Sequence, residues 1–89
     1  MKILFDPAKN LANIAKHGVA LSEAKALDWQ SALVWVDDRN TYGEQRLCAL
    51  GFIGDRIYFV AFVDRDEVRR IISLRKANIR ETKYYDNQT

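Results

Sequence analysis

Cysteine occurs once in this 89-residue chain, so neither a disulfide framework nor a metal site built on cysteines can form within it. That residue, Cys48, sits in the apolar stretch LCALGFI and reads as a buried, reduced thiol rather than a nucleophile. Histidine and proline also occur once each, as His17 and Pro7. No apolar run approaches the roughly 20 residues of a membrane helix. The opening MKILFDPAKN turns polar after four residues, unlike a secretory signal. Repeats, linkers and low-complexity segments are all missing. The expectation is a soluble, cytoplasmic protein, with residues 1–89 forming one small domain around a core drawn from 48% hydrophobic residues.

What the chain does have is a basic element near its end. From Val68 to Lys83, VRRIISLRKANIRETK carries Arg69, Arg70, Arg75, Lys76, Arg80 and Lys83 against one acid, Glu81. The overall charge is only +2, so the rest of the chain is net acidic. A local cationic element of this kind is the usual footprint of a phosphate-rich partner, although a solvated helix face gives the same count.

Local patterns divide the chain into β-α-α-β-β-β-α. Lys2–Phe5 reads as a strand. Asp6 and Pro7 open a helix over 7–17, which Gly18 ends as a left-handed residue after Lys16 and His17. A second helix is expected over Ser22–Trp29, capped by Ser22. Strands follow at Leu33–Val36, Arg46–Ile53 and Arg56–Val63, the first two separated by the polar loop DDRNTYGEQ and the last two by a tight turn at Gly54-Asp55. RIYFVAFV is apolar on both alternating faces, which suits a central strand covered on both sides. A turn over Asp64–Glu67 leads to a strand over Val68–Leu74, and a closing helix is expected over Lys76–Tyr85. The class is α+β, with an antiparallel sheet packed against helices.

Strict alternation in the last strand would place Val68, Arg70, Ile72 and Leu74 on one face and Arg69, Ile71, Ser73 and Arg75 on the other. Each face then mixes apolar and cationic positions. Such arginines can simply snorkel to solvent, or they can aim a planar donor fork at phosphate.

Three stretches carry a family resemblance. They are DPAKNLANIAKHGV, with Asp6, Lys9, Asn13, Lys16, His17, Gly18 and Val19; GEQR, with Gly43, Glu44 and Arg46; and RIISLRKANIRETKYY, with Arg70, Ile71, Ile72, Ser73, Arg75, Ala77, Glu81 and Tyr84. In order and spacing these resemble the BrnT family of bacterial type II toxins. Two positions depart from the pattern, Ala20 where the family often has Ser and Leu74 where it often has Ala. The resemblance implies a RelE-like fold and a ribonuclease that arrests growth by cleaving RNA. It also implies a ribbon-helix-helix antitoxin, BrnA-like, which neutralises the toxin and binds operator DNA with it. The toxin itself would touch DNA only through that complex, and no cofactor is implied.

Metal-independent RNA cleavage uses the ribose 2′-hydroxyl as an internal nucleophile. The protein must therefore move protons and stabilise charge on the phosphorane. Glu44 or His17 is the candidate for proton transfer, and Arg46, Arg70 and Arg75 for phosphate. Lys9 and Lys16, on one face of the first helix, together with Arg69, Lys76 and Arg80, form the candidate RNA-binding set. Competing readings remain for several of these residues. His17 can serve only the helix-end dipole, Glu44 can pair with Arg46, and Tyr84 and Tyr85 can be core residues rather than base-stacking ones. No clustered acid set suggests a metal, with Asp37 and Asp38 the nearest approach. Trp29 and Trp35 are candidate antitoxin anchors, at least one of them expected in the core. A non-catalytic RNA- or DNA-binding module, or an antitoxin-binding subunit, is the alternative.

Overall fold

The computed structural model describes residues 1–39 and 43–89; residues 40–42 of the expected polar loop lie outside the described residues. Strand β1 spans Lys2–Phe5 and helix α1 Pro7–His17, followed by a 3-10 helix over Leu21–Ala26. Strands β2 (Leu33–Asp37), β3 (Arg46–Ile53), β4 (Arg56–Arg65) and β5 (Val68–Lys76) precede helix α2 (Ile79–Gln88). Helix α1 starts and stops where its caps dictate. Asp6 Oδ1 accepts from the Ala8 amide at 2.9 Å, Pro7 takes the first position, and Gly18 at φ +71° donates its N–H back to the Ile14 carbonyl at 2.8 Å.

The sheet has the order β1-β5-β4-β3-β2. Strands β2 to β5 are antiparallel neighbours, but β1 runs parallel to β5, with Lys2 opposite Val68 and Phe5 opposite Ile71. The sheet is therefore mixed, not wholly antiparallel as expected. Alternation reports which residues share a face and not the direction in which a distant edge strand pairs. Strand β4 does lie at the centre, with Val60 and Phe62 buried on one side and Ile57 on the other.

The expected second helix is shorter and tighter than the sequence suggested. Leu21, Ala24 and Leu27 are spaced by three, the repeat of a 3-10 helix, and all are buried against the sheet. Ser22 is not the cap: Ala20 holds that position without a side-chain bond, and the Leu21 amide donates instead to Asn10 Oδ1 at 2.7 Å. Gly51 in β3 makes room for this segment, because a Cβ there would stand 2.8 Å from Leu27 Cδ2. At the other end of the chain, β5 continues through Lys76. Helix α2 starts only at Ile79, where Asn78 and Glu81 form a reciprocal capping box.

A bulge in β5 reassigns its faces. Ala61 pairs with Ser73, yet Phe62 pairs with Ile71, so Ile72 is an extra residue opposite a regular β4. Ile71 and Leu74 consequently both enter the core covered by the 3-10 helix and its flanking residues Val19 and Leu27. Arg70, opposite Val63, and Arg75, opposite Phe59, consequently share the other face. Strict alternation had separated them.

Helix α1 is joined to this strand by one buried side chain. β1 covers β5 only as far as Ile71, and beyond it Asn13 takes the free edge: Nδ2 donates to the carbonyls of Leu74 (2.7 Å) and Val19 (2.8 Å), while Oδ1 accepts from the Leu74 amide (3.2 Å). Asn13→Ala leaves buried backbone groups unsatisfied, so it is expected to lower unfolding free energy by about 2–4 kcal/mol in chemical denaturation. A loss near zero would show that the amide is not needed to hold the helix.

Candidate functional site

The face carrying Arg70 and Arg75 is covered by α2 at one end only, where Leu50, Ile57, Ala77 and Tyr85 form a second small core against Phe52 and Phe59. At the uncovered end, Arg46 stands one residue before Leu47, the partner of Phe62, and so projects on the same side as Val63 and Arg70. Lys9, Glu44, Arg46, Val63, Arg70 and Ile72 together line a cleft of about 200 Å³. An adjoining depression of about 240 Å³ shares Glu44, Val63 and Arg70 and adds Leu4 and Arg65. Three cations and one carboxylate thus surround an apolar floor, an arrangement suited to an anion that also has a less polar part.

Glu44 is exposed, and its Oε2 accepts from Arg65 Nη2 at 2.9 Å, where the sequence suggested Arg46 as its partner. An exposed pair of this type contributes little stability, so a ligand can displace it at small cost. No local pattern announces Arg65, which reaches Glu44 from the end of β4.

Arg75 does not line the cleft. It lies roughly 15 Å from Arg70 along the strand. Its guanidinium sits 4.3 Å from the Phe59 ring centroid and donates to both Glu81 oxygens at 2.8 and 2.9 Å. Those bonds hold the Glu81 carboxyl below its usual range against the opposing effect of burial. Glu81 thereby serves α2 and Arg75 together. Its capping role was readable from the spacing Asn78-x-x-Glu81, whereas its partnership with Arg75 was not.

His17 ends α1 near enough to Arg75 for their charges to interact. Burial lowers its pKa from the ordinary 6.5, and the positive charges of Lys16 and Arg75 lower it further. The α1 dipole acts in the opposite sense, favouring the imidazolium. With its pKa below the ordinary value, His17 is neutral at pH 7, and with Arg75 it stands apart from the group Lys9, Glu44, Arg46 and Arg70.

The remaining candidates are dispersed. Arg69 is on the opposite face, its guanidinium 4.4 Å from the Trp29 ring and 4.5 Å from that of Phe62, with two bonds of 2.8 Å to Asp64. Lys16, Lys76 and Arg80 are exposed on α1, the end of β5 and the first turn of α2. Trp29 is packed edge-on against Phe62, with Nε1 donating to the Ala24 carbonyl at 3.0 Å, while Trp35 is partly exposed on β2. Cys48 is buried, and burial foremost, then Asp37, raises its thiol pKa, so it stays protonated. Asp37 itself accepts two bonds from the Arg39 guanidinium, and among the described residues no three His, Cys, Asp or Glu side chains gather as metal ligands.

A small α+β domain with a cationic cleft on an open sheet face defines a class of protein suited to a phosphate-bearing ligand. Residues 5–81 match the family model described as the BrnT ribonuclease toxin of type II toxin-antitoxin systems, and the chain belongs to that family. A protein antitoxin is accordingly its partner class. The search of curated proteins gives no significant match. None of the helices among the described residues is long and apolar enough to cross a membrane.

Because His17 is the one histidine, its ring protons report a single titration by NMR. The midpoint is expected below 6.5, rising when Arg75 is replaced by Ala, which removes a cation and leaves Glu81 without its partner. A midpoint at or above 6.5 would show that the helix dipole prevails.

Proposed function

We propose that this toxin is a metal-independent endoribonuclease whose scissile phosphate lies in the cleft between α1 and the uncovered end of the sheet. The convergence of Lys9, Glu44, Arg46 and Arg70 supports this reading, because it supplies one potential base and three fixed cations within the reach of one phosphodiester. Glu44, released from Arg65 as the ligand enters, takes the proton of the 2′-hydroxyl. That oxygen attacks phosphorus, and Arg46, Arg70 and Lys9 balance the charge that builds on the phosphorane. The 5′ oxygen departs with a proton from Lys9 or from water, leaving a 2′,3′-cyclic phosphate and a 5′-hydroxyl. Neutral His17 and ring-stacked Arg75 serve the RNA strand farther along the same face. RelE-like topology, a ribbon-helix-helix antitoxin, joint repression of the operator and a cytoplasmic location complete the proposal, each resting on the family resemblance.

The pairing of Glu44 with Arg65 and of Arg75 with Glu81 favours one second reading, a non-catalytic RNA-binding module whose charges are already satisfied. Purified protein incubated with RNA in EDTA separates the two. Cleavage giving 5′-hydroxyl and cyclic or 3′-phosphate ends is expected, slowed about 10²–10⁴-fold by Glu44→Gln. Arg46→Ala and Arg70→Ala are each expected to slow it as well. Intact RNA with a salt-dependent shift would establish the binding module, and full activity in both arginine variants would remove the cleft from the reaction.

A further inference from the structure

The same sheet face continues past the cleft into an aromatic patch that the proposed chemistry does not use. Trp35 lies opposite Cys48, two residues from Arg46 on β3, so its ring occupies the adjoining row, roughly 7 Å along the strand. Tyr84 reaches toward it from α2. The two ring centroids are 6.4 Å apart at 75°, and Phe59 lies 6.2 Å from Trp35 with the Arg75 guanidinium over its own ring. Trp35 is 37% exposed and Tyr84 51% exposed, and rings with one apolar side and one wet side are the kind enriched at binding surfaces. Arg80, one helical turn before Tyr84, places an exposed cation on the same side of α2.

From this arrangement we infer a base-stacking subsite: Trp35 and Tyr84 receive the base of an unpaired ribonucleotide adjacent to the one whose phosphate occupies the cleft, and Arg80 meets its backbone. The inference rests on the proposed reading of the cleft as the RNA site. Two observations favour a nucleobase over a protein segment. The patch is continuous with the cationic row, as one strand of nucleic acid requires, and it offers π faces beside cations, the combination by which single strands are held without base-specific hydrogen bonds. The aliphatic pair Val34 and Val36 is also exposed, but it projects from the other face of β2, opposite Ala49 and Leu47, and forms a separate surface.

The test is binding of a fluorescein-labelled, fully 2′-O-methylated RNA octamer, which cannot be cleaved, measured by anisotropy. Trp35→Ala and Tyr84→Ala are expected to weaken binding by roughly 5- to 150-fold each, the range of one base–aromatic stack, while Tyr84→Phe binds like the parent. An octamer with a single abasic position walked along it is expected to lose affinity at one position for the parent and to lose nothing further there for Tyr84→Ala. Both rings are exposed and neither belongs to the two buried clusters, so unchanged circular dichroism is expected and a loss of fold is separable from a loss of stacking. Unchanged affinity in both alanine variants would overturn the subsite, and so would variants that bind RNA normally but fail to retain a co-expressed antitoxin. If Arg46→Ala and Arg70→Ala also leave cleavage untouched, the cleft assignment fails; if they abolish it while the ring variants bind normally, only the subsite does.

Discussion

The site depends on the amide of Asn13. A helix lying along the open edge of a strand usually leaves that strand's N–H and C=O groups to water. Here a single asparagine pairs with both backbone groups of Leu74 and also with the Val19 carbonyl. The bonds are directional, so they fix where α1 sits along β5 as well as how far from it. Lys9, one turn earlier, is thereby brought to the cleft beside Arg70, and His17, one turn later, to the neighbourhood of Arg75. Hydrophobic packing between α1 and the sheet could not set this register alone, because apolar contact is not directional.

The bulge at Ile72 has an equal influence on charge. Without it, Arg70 and Arg75 would project from opposite sides of β5, and one would enter the core beneath the 3-10 helix. With it, Ile71 and Leu74 fill that core and both arginines share the open face. Arg69 is turned the other way, where Asp64, Trp29 and Phe62 occupy its charge and its plane. Three arginines close in sequence thus acquire different environments: one at a solvent cleft, one locked to Glu81 and one clamped between rings. Arg70 is thus the member of the three that lines the cleft, where Lys9 from α1 and Arg46 from β3 join it.

Much of the architecture was legible because it rests on local signals. Asp6-Pro7 and Gly18 bound α1 to the residue, Gly54 marks the β3–β4 turn, and the two-sided apolar run of β4 placed it at the centre. The misreadings have a common physical origin in long-range contacts. Direction of pairing between β1 and β5, the extra residue at Ile72 and the docking of Leu27 onto Gly51 are settled by partners distant in sequence. The 3-10 helix is instructive, since a repeat of three at Leu21, Ala24 and Leu27 fits the first turns of an α-helix almost as well. For the site, Glu44, Arg46, Arg70 and Lys9 were named from the sequence and do meet. Arg75 and His17 were grouped with them, yet Arg75 stands five residues farther along β5 and His17 two turns beyond Lys9 on α1, because a shared motif does not convey separation in space. Arg65 as the partner of Glu44 had no local signal at all.

In the proposed reading, one face of the sheet, and not the other, receives RNA. Backbone amide shifts of isotopically labelled protein, followed by NMR during titration with a short 2′-O-methyl RNA, address it without relying on turnover. The expected result is that the largest changes fall at Arg46, Val63, Arg70 and Ile72, with Arg69 and the Trp29 indole little affected. Changes centred on Arg69 and Trp29, with the Arg46–Arg70 row silent, would contradict it.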